Sequence, residues 1–90
     1  MVADKKKVMR LLKTARGQLD GLIKMVEDDR YCVDISNQLM ATQAILRSAD
    51  KEIIRAHLSG CVKEAFEKDD ETDKNQKIEE IIGMIDKMAK

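Results

Sequence analysis

The 90-residue chain has no proline, no tryptophan, one phenylalanine, one tyrosine and only four glycines. Without proline, nothing forces a helix to kink or stop. With so few aromatics, the core must come from Leu, Ile, Val, Met and Ala. A composition led by Ala, Leu, Met, Lys and Glu favours long uninterrupted helices over a sheet. No apolar run approaches the roughly 20 residues that a bilayer span requires, and no signal peptide opens the chain. The sequence therefore reads as cytoplasmic, with no membrane partner. In that reducing compartment its two cysteines are ligands or sensors rather than a structural disulfide. Residues 1–90 make one domain, and a small one for burying a core alone.

Charge of one sign is also missing overall, since 17 basic side chains balance 17 acidic ones. The balance hides an asymmetry. Residues 1–16 carry Lys5, Lys6, Lys7, Arg10, Lys13 and Arg16 against Asp4 alone, whereas residues 62–90 hold six lysines against nine acids. A basic arm with an acidic tail suits a protein that meets a polyanion on one face. A solvated helix start and a solvated loop would carry the same charges.

Apolar residues recur at helical spacing in three stretches. Val8, Leu11, Leu12, Ala15, Leu19, Leu22, Ile23 and Val26 form one face of a first helix over about 5–28. Gly17 and Gly21 interrupt it, which predicts close approach of another helix backbone. Ile35, Leu39, Thr42, Leu46, Ala49, Ile53, His57 and Cys61 mark a second helix over about 33–68, started by Asp34 or a residue just before it. At 1.5 Å per residue this rod is roughly 50 Å long, more than a 90-residue monomer can bury. The segment 69–75 is too charged to pack and reads as a loop. Ile78, Ile81, Ile82, Ile85 and Met88 mark a short third helix over about 75–89. The expected fold is all-α, a long helical hairpin plus a short helix, completed as an antiparallel four-helix-bundle dimer.

Three side chains offer soft or borderline metal-ligand chemistry: Cys32, His57 and Cys61. His57 and Cys61 are four apart on one helix, so they project from the same face one turn apart. Taken alone, such a pair on an apolar stripe is more often packed core than a ligand set. Cys32 adds a constraint, because it precedes His57 by 25 residues on the same helix, a separation of about 37 Å. One helix cannot bring them together, but two antiparallel copies can. Each site would then combine Cys32 of one protomer with His57 and Cys61 of the other. Two thiolates and an imidazole make a soft three-coordinate set suited to copper(I). Structural zinc asks for a fourth ligand, and nickel or cobalt for more nitrogen and oxygen donors.

The segments Arg16-Gly17-Gln18-Leu19-Asp20-Gly21, Tyr31-Cys32-Val33-Asp34-Ile35 with Gln38, and His57-Leu58-Ser59-Gly60-Cys61-Val62 resemble the copper-sensitive operon repressor family. The resemblance spans residues 8–85. It implies an antiparallel helical dimer, usually paired into a tetramer, that binds operator DNA without metal and releases it on binding copper(I). It carries the ligand roles onto Cys32, His57 and Cys61, and supporting roles beside the metal onto Tyr31 and Glu80. It points to Arg16 and Gln18, then Arg10, Lys13 and Arg47, as DNA contacts. Leu11 stands where members often carry arginine, with positive charge supplied next to it by Arg10 and Lys13. Nickel and cobalt sensors of this fold use further histidines that are missing here. Formaldehyde sensors have an N-terminal proline where this chain has Val2, and persulfide sensors lack the equivalent of His57.

The resulting expectation is a copper(I)-responsive transcriptional repressor that acts on no small-molecule substrate. One alternative is a persulfide or thiol-redox sensor joining Cys32 and Cys61 of partner subunits. Another is a copper buffer or chaperone with no role on DNA. An enzyme is not expected, since no nucleophile–base–oxyanion set or phosphate-binding glycine loop is present.

Overall fold

The computed structural model describes residues 1–68 and 71–88, leaving out the side chains of Cys61 and Val62. Among the described residues the chain is all-α, and no helix is long and apolar enough to cross a membrane. Helix α1 spans Lys5–Glu27. It starts at Asp4, whose carboxylate accepts hydrogen bonds from the backbone N–H of Lys6 (3.0 Å) and Lys7 (3.2 Å) and so satisfies two orphan donors. It ends in a Schellman arrangement: the Asp29 N–H donates to the Val26 carbonyl and the Arg30 N–H to that of Met25. This places Asp29 in the left-handed region, with φ of 50°, where a short polar side chain is tolerated better than most.

Helix α2 spans Cys32–His57. Tyr31 occupies its cap position without a side-chain capping bond, and Asp34 lies in the first turn. Asp34 therefore acts on the positive end of the helix dipole from inside the helix rather than as a cap. The expected unbroken α-helix over 33–68 is interrupted. After His57 the chain makes a π turn, Leu58–Val62, before resuming as the short α3, Lys63–Glu67. The Lys63 N–H donates to the Leu58 carbonyl, five residues back.

Helix α4 spans Glu71–Met88, so the charged stretch expected as a loop is helical from Glu71 onward. Glu71 and Asp73 sit in its first turn, where acidic side chains complement the dipole, and the Glu71 carboxylate reaches Lys74 Nζ at 3.6 Å. Residues 69 and 70 of the expected loop, and residue 89 at the expected helix end, lie outside the described residues.

α1 and α2 form an antiparallel hairpin. Its register is fixed by two contacts: Lys7 Nζ to Glu52 Oε2 at 3.1 Å, and the Thr42 hydroxyl to Gln18 Oε1 at 2.8 Å. Between the helices only Val8, Ala15 and Leu22 of α1 and Thr42 and Ala49 of α2 are buried. Their seven-residue spacing marks a narrow seam, and the small side chains Ala15, Thr42 and Ala49 let the axes approach.

The rest of the stripe stays open. Leu12, Leu19, Ile23, Val26, Leu39 and Leu46 keep 42–59% of their surface exposed. One end of this face is a largely apolar groove lined by Leu19, Leu22, Ile23, Val26, Ile35 and Leu39, with Glu27 beside them. A Cβ added at Gly17 or Gly21 would meet nothing within 4 Å. Within the protomer, then, the expected close helix approach at these glycines does not occur. α4 buries none of its described residues fully and packs mainly on α3.

Candidate metal centre

α2 is bounded by two of the three candidate ligands, Cys32 as its first residue and His57 as its last. A helix of 26 residues keeps those ends about 37 Å apart. Cys32 is an exposed free thiol, and Tyr31 beside it is also exposed. Among the described residues, no three His, Cys, Asp or Glu side chains of one protomer gather as a metal site. The Cys61 side chain lies outside the described residues. Its backbone falls within the π turn, a feature frequent at functional sites.

His57 is set up by the last helix. Its side chain is 22% exposed and its Nε2 lies 3.2 Å from Glu80 Oε2. The other oxygen of that carboxylate, Oε1, is 3.6 Å from Lys77 Nζ. A carboxylate can only accept, so a neutral His57 donates Nε2–H to Glu80 and keeps its lone pair on Nδ1. Nδ1 is then the ring atom able to bind a metal. A carboxylate behind the ring fixes its tautomer and orientation, as partners of metal-binding histidines commonly do. The structure thus brings His57 and Glu80 together, while Tyr31 lies at the opposite end of α2 from both.

Thiol and imidazole are donor types that suit copper(I), and here they stand at the two ends of α2. One end of the hairpin offers the thiol of Cys32. The other offers the oriented imidazole of His57, with Cys61 four residues on within the π turn.

The candidate DNA contacts fall into two groups. Arg10, Lys13, Arg16 and Arg47 are exposed, and Lys6, Arg10 and Lys13 line one open groove along α1 with Met9 and Thr14. Gln18 is half-buried and accepts the Thr42 hydroxyl, so its carboxamide oxygen is committed to the hairpin. The fold adds one electrostatic feature to the basic arm. The first turn of α1 holds Lys5, Lys6 and Lys7 and no acidic residue. Cations at a helix N-terminus oppose the dipole, an arrangement that a bound polyanion would offset. Lys7 finds Glu52, and the antiparallel register sets this basic turn at the His57 end of the hairpin.

Comparison with known proteins gives consistent results. A family model described as metal-sensitive transcriptional repressor matches residues 4–87. The copper-sensing transcriptional repressor CsoR of Mycobacterium ulcerans (strain Agy99) is 48% identical over 61 residues, covering 67% of this chain and 52% of that protein. The chain thus spans about half the length of this mycobacterial relative. The protein of the same name from Bacillus subtilis (strain 168) is 34% identical over 97% of this chain and 83% of its own length. Among solved structures, the Cu(I)-bound copper-sensing repressor CsoR from Geobacillus thermodenitrificans NG80-2 superposes with a TM-score of 0.84 at 38% identity, covering 94% of this chain and 85% of that one.

Proposed function

This chain belongs to the metal-sensitive transcriptional repressor family, and from that premise we propose that it is a copper(I)-responsive repressor. Its metal-free form binds operator DNA in the cytoplasm and releases it when copper(I) is captured. The feature that carries this reading is α2, with Cys32 at one end and a Glu80-oriented His57 at the other. Two antiparallel copies bring opposite ends together, so that Cys32 of one protomer joins His57 and Cys61 of its partner. The same pairing covers the open apolar face of the hairpin, and pairing of dimers into a tetramer follows the family pattern.

Soft thiolates with one imidazole give copper(I) a three-coordinate site that needs no further protein ligand. Each half-site acts on its own surroundings. Holding His57 through Nδ1 keeps Nε2–H directed at Glu80, which ties the ligand shell to α4. Tyr31, next to Cys32, comes from the other protomer and enters the same shell. On the outer side, Arg10, Lys13, Arg16 and Arg47 face DNA phosphates, so affinity falls steeply with salt. Gln18 supports that face from within the hairpin. By linkage, DNA weakens copper(I) binding by the same factor by which copper(I) weakens DNA binding.

A thiol switch that joins Cys32 to Cys61 would leave His57 and its 3.2 Å contact with Glu80 without a part to play, which favours the metal reading. An anaerobic gel shift against the chain's own upstream region tests it. The apo protein is expected to bind in a salt-sensitive manner and to be released by copper(I) but not by persulfide. Absence of apo binding would leave a copper buffer as the better description.

A further inference from the structure

α4 turns charged side chains toward the rest of the protomer. Lys74, Lys77 and Glu80 are half-buried, whereas Ile78, Ile82 and Ile85 keep 40–59% of their surface exposed. A charge gains nothing from partial burial by itself, so each of these needs a partner. Lys74 has Glu71 and the Phe66 ring of α3, with Nζ 5.7 Å from the ring centroid. Lys77 has Glu80, three residues on: its side chain is 22% exposed and its Nζ lies 3.6 Å from Oε1. As a helix-surface ion pair this would count for little. What distinguishes it is the other end of the same carboxylate, since Oε2 stands 3.2 Å from His57 Nε2.

We infer that Lys77 is a positioning residue for the copper(I) site: it holds one oxygen of Glu80 so that the other stays on His57 Nε2, and thereby fixes which ring nitrogen faces the metal. The inference rests on the copper(I) reading above and extends its His57–Glu80 link by one residue.

The physical case has three parts. The Glu80 side chain is 37% exposed, so water competes for its oxygens. A carboxylate held at one oxygen only can rotate about its last bond or swing into solvent, whereas one held at both has a single orientation. The third part is the ring itself. A neutral imidazole carries its proton on one nitrogen and its lone pair on the other, and the hydrogen bond made by one decides what the other offers. With Glu80 fixed behind Nε2–H, the lone pair stays on Nδ1. With Glu80 released, the proton is free to occupy either nitrogen, and the fraction of rings with an open Nδ1 falls.

The test compares wild type with Lys77→Met, which keeps side-chain length and a similar helix propensity, and with Lys77→Arg, which keeps the charge. The chain has one histidine, so long-range proton–nitrogen correlation spectra of the apo protein, taken where the ring is neutral, read the His57 tautomer without overlap. Copper(I) affinity is measured by anaerobic competition with a chromogenic chelator. Wild type is expected to show a bare Nδ1 and a protonated Nε2. In Lys77→Met the two nitrogen shifts should move toward each other. Its copper(I) affinity should fall by about fivefold, less than the roughly 10–100-fold typical when a direct partner of a metal ligand is lost. Lys77→Arg should restore both readings, and Tm should stay near wild type in both variants. Unchanged spectra in Lys77→Met would overturn the positioning role even if copper(I) affinity fell, because the loss would then come from charge alone. Lys77→Arg behaving like Lys77→Met would overturn it too. If wild type takes up no copper(I) while Lys77→Met still shifts the apo spectra, the copper reading fails and the hold of Lys77 on His57 through Glu80 is upheld.

Discussion

Thr42 is the most deeply buried polar side chain among the described residues, at 1% exposure, and it is the best place to perturb the hairpin. Its hydroxyl has one proton and two acceptors within reach, Gln18 Oε1 across the seam at 2.8 Å and the Gln38 carbonyl one turn back at 3.1 Å. Thr42→Val keeps the shape and removes that proton. The Gln38 carbonyl retains its helical bond, and half-buried Gln18 can turn to water, so neither acceptor is left fully stranded. The loss is therefore the net value of one hydrogen bond, about 1 kcal/mol, reduced slightly by the added methyl. For a chain of this size that lowers Tm by roughly 4–8 °C. Thermal unfolding at one fixed protein concentration is the appropriate assay, because subunit association shifts Tm by mass action. A double-mutant cycle with Gln18→Leu should return a coupling of about 0.5–1.5 kcal/mol. If the Thr42→Val variant is as stable as wild type and the cycle shows no coupling, the seam is not held by this bond. The cycle also separates roles at Gln18. If Thr42→Val weakens operator binding as much as Gln18→Leu does, the glutamine acts on DNA through the hairpin rather than by direct contact.

Two further predictions concern the ends and the open face of the hairpin. At Asp29, held at φ of 50°, glycine removes a steric cost of about 1 kcal/mol, so Asp29→Gly should raise Tm and Asp29→Val should lower it. An unchanged melting curve for both would mean the turn does not need its left-handed residue. At Ile23, which is 57% exposed and lies in the apolar groove, a glutamate should dissociate the dimer. Burying one such side chain contributes about 1.5–3 kcal/mol when complete, and each dimer would lose it twice while facing two carboxylates. Sedimentation equilibrium reads the result, and an unaltered oligomer would place the interface elsewhere.

Periodicity made the three helical stretches legible, because the residues that stay dry must recur at 3.6-residue spacing whatever their neighbours. It could not reveal the π turn at Leu58–Val62. That turn inserts its extra residue without changing residue types, and Gly60 reads equally well as a weak position in an ordinary helix. The helix start at Glu71 was hidden by its charge. Glu71 and Asp73 read as a solvated loop until their place beside a helix N-terminus makes them stabilising, and acidic residues just ahead of an apolar stripe were the available signal. Gln18 read as a DNA contact only through the family resemblance. Only the register of the hairpin sets it opposite Thr42. Gly17 and Gly21 suggested a neighbouring backbone that the protomer does not contain. The separation of Cys32 from His57, by contrast, was readable from residue numbers alone, since rise per residue fixes it once the helix is accepted. Glu80 came only from family resemblance; its 3.2 Å approach to His57 depends on how α4 folds back, which no local pattern encodes.

A metal site shared between two chains can be rebuilt by mixing subunits that each lack one half of it. Cys32→Ala lacks one half-site, and the double variant His57→Ala/Cys61→Ala lacks the other. Each variant alone should bind no tightly held copper(I). Refolded together, they form heterodimers in which one complete site is restored, with Cys32 from the double variant and His57 with Cys61 from the single one. Copper(I) titration against a competing chelator should then recover a single tight site per heterodimer. If the mixture stays as inert as its components, or if Cys32→Ala alone binds copper(I) as tightly as wild type, the shared site is wrong.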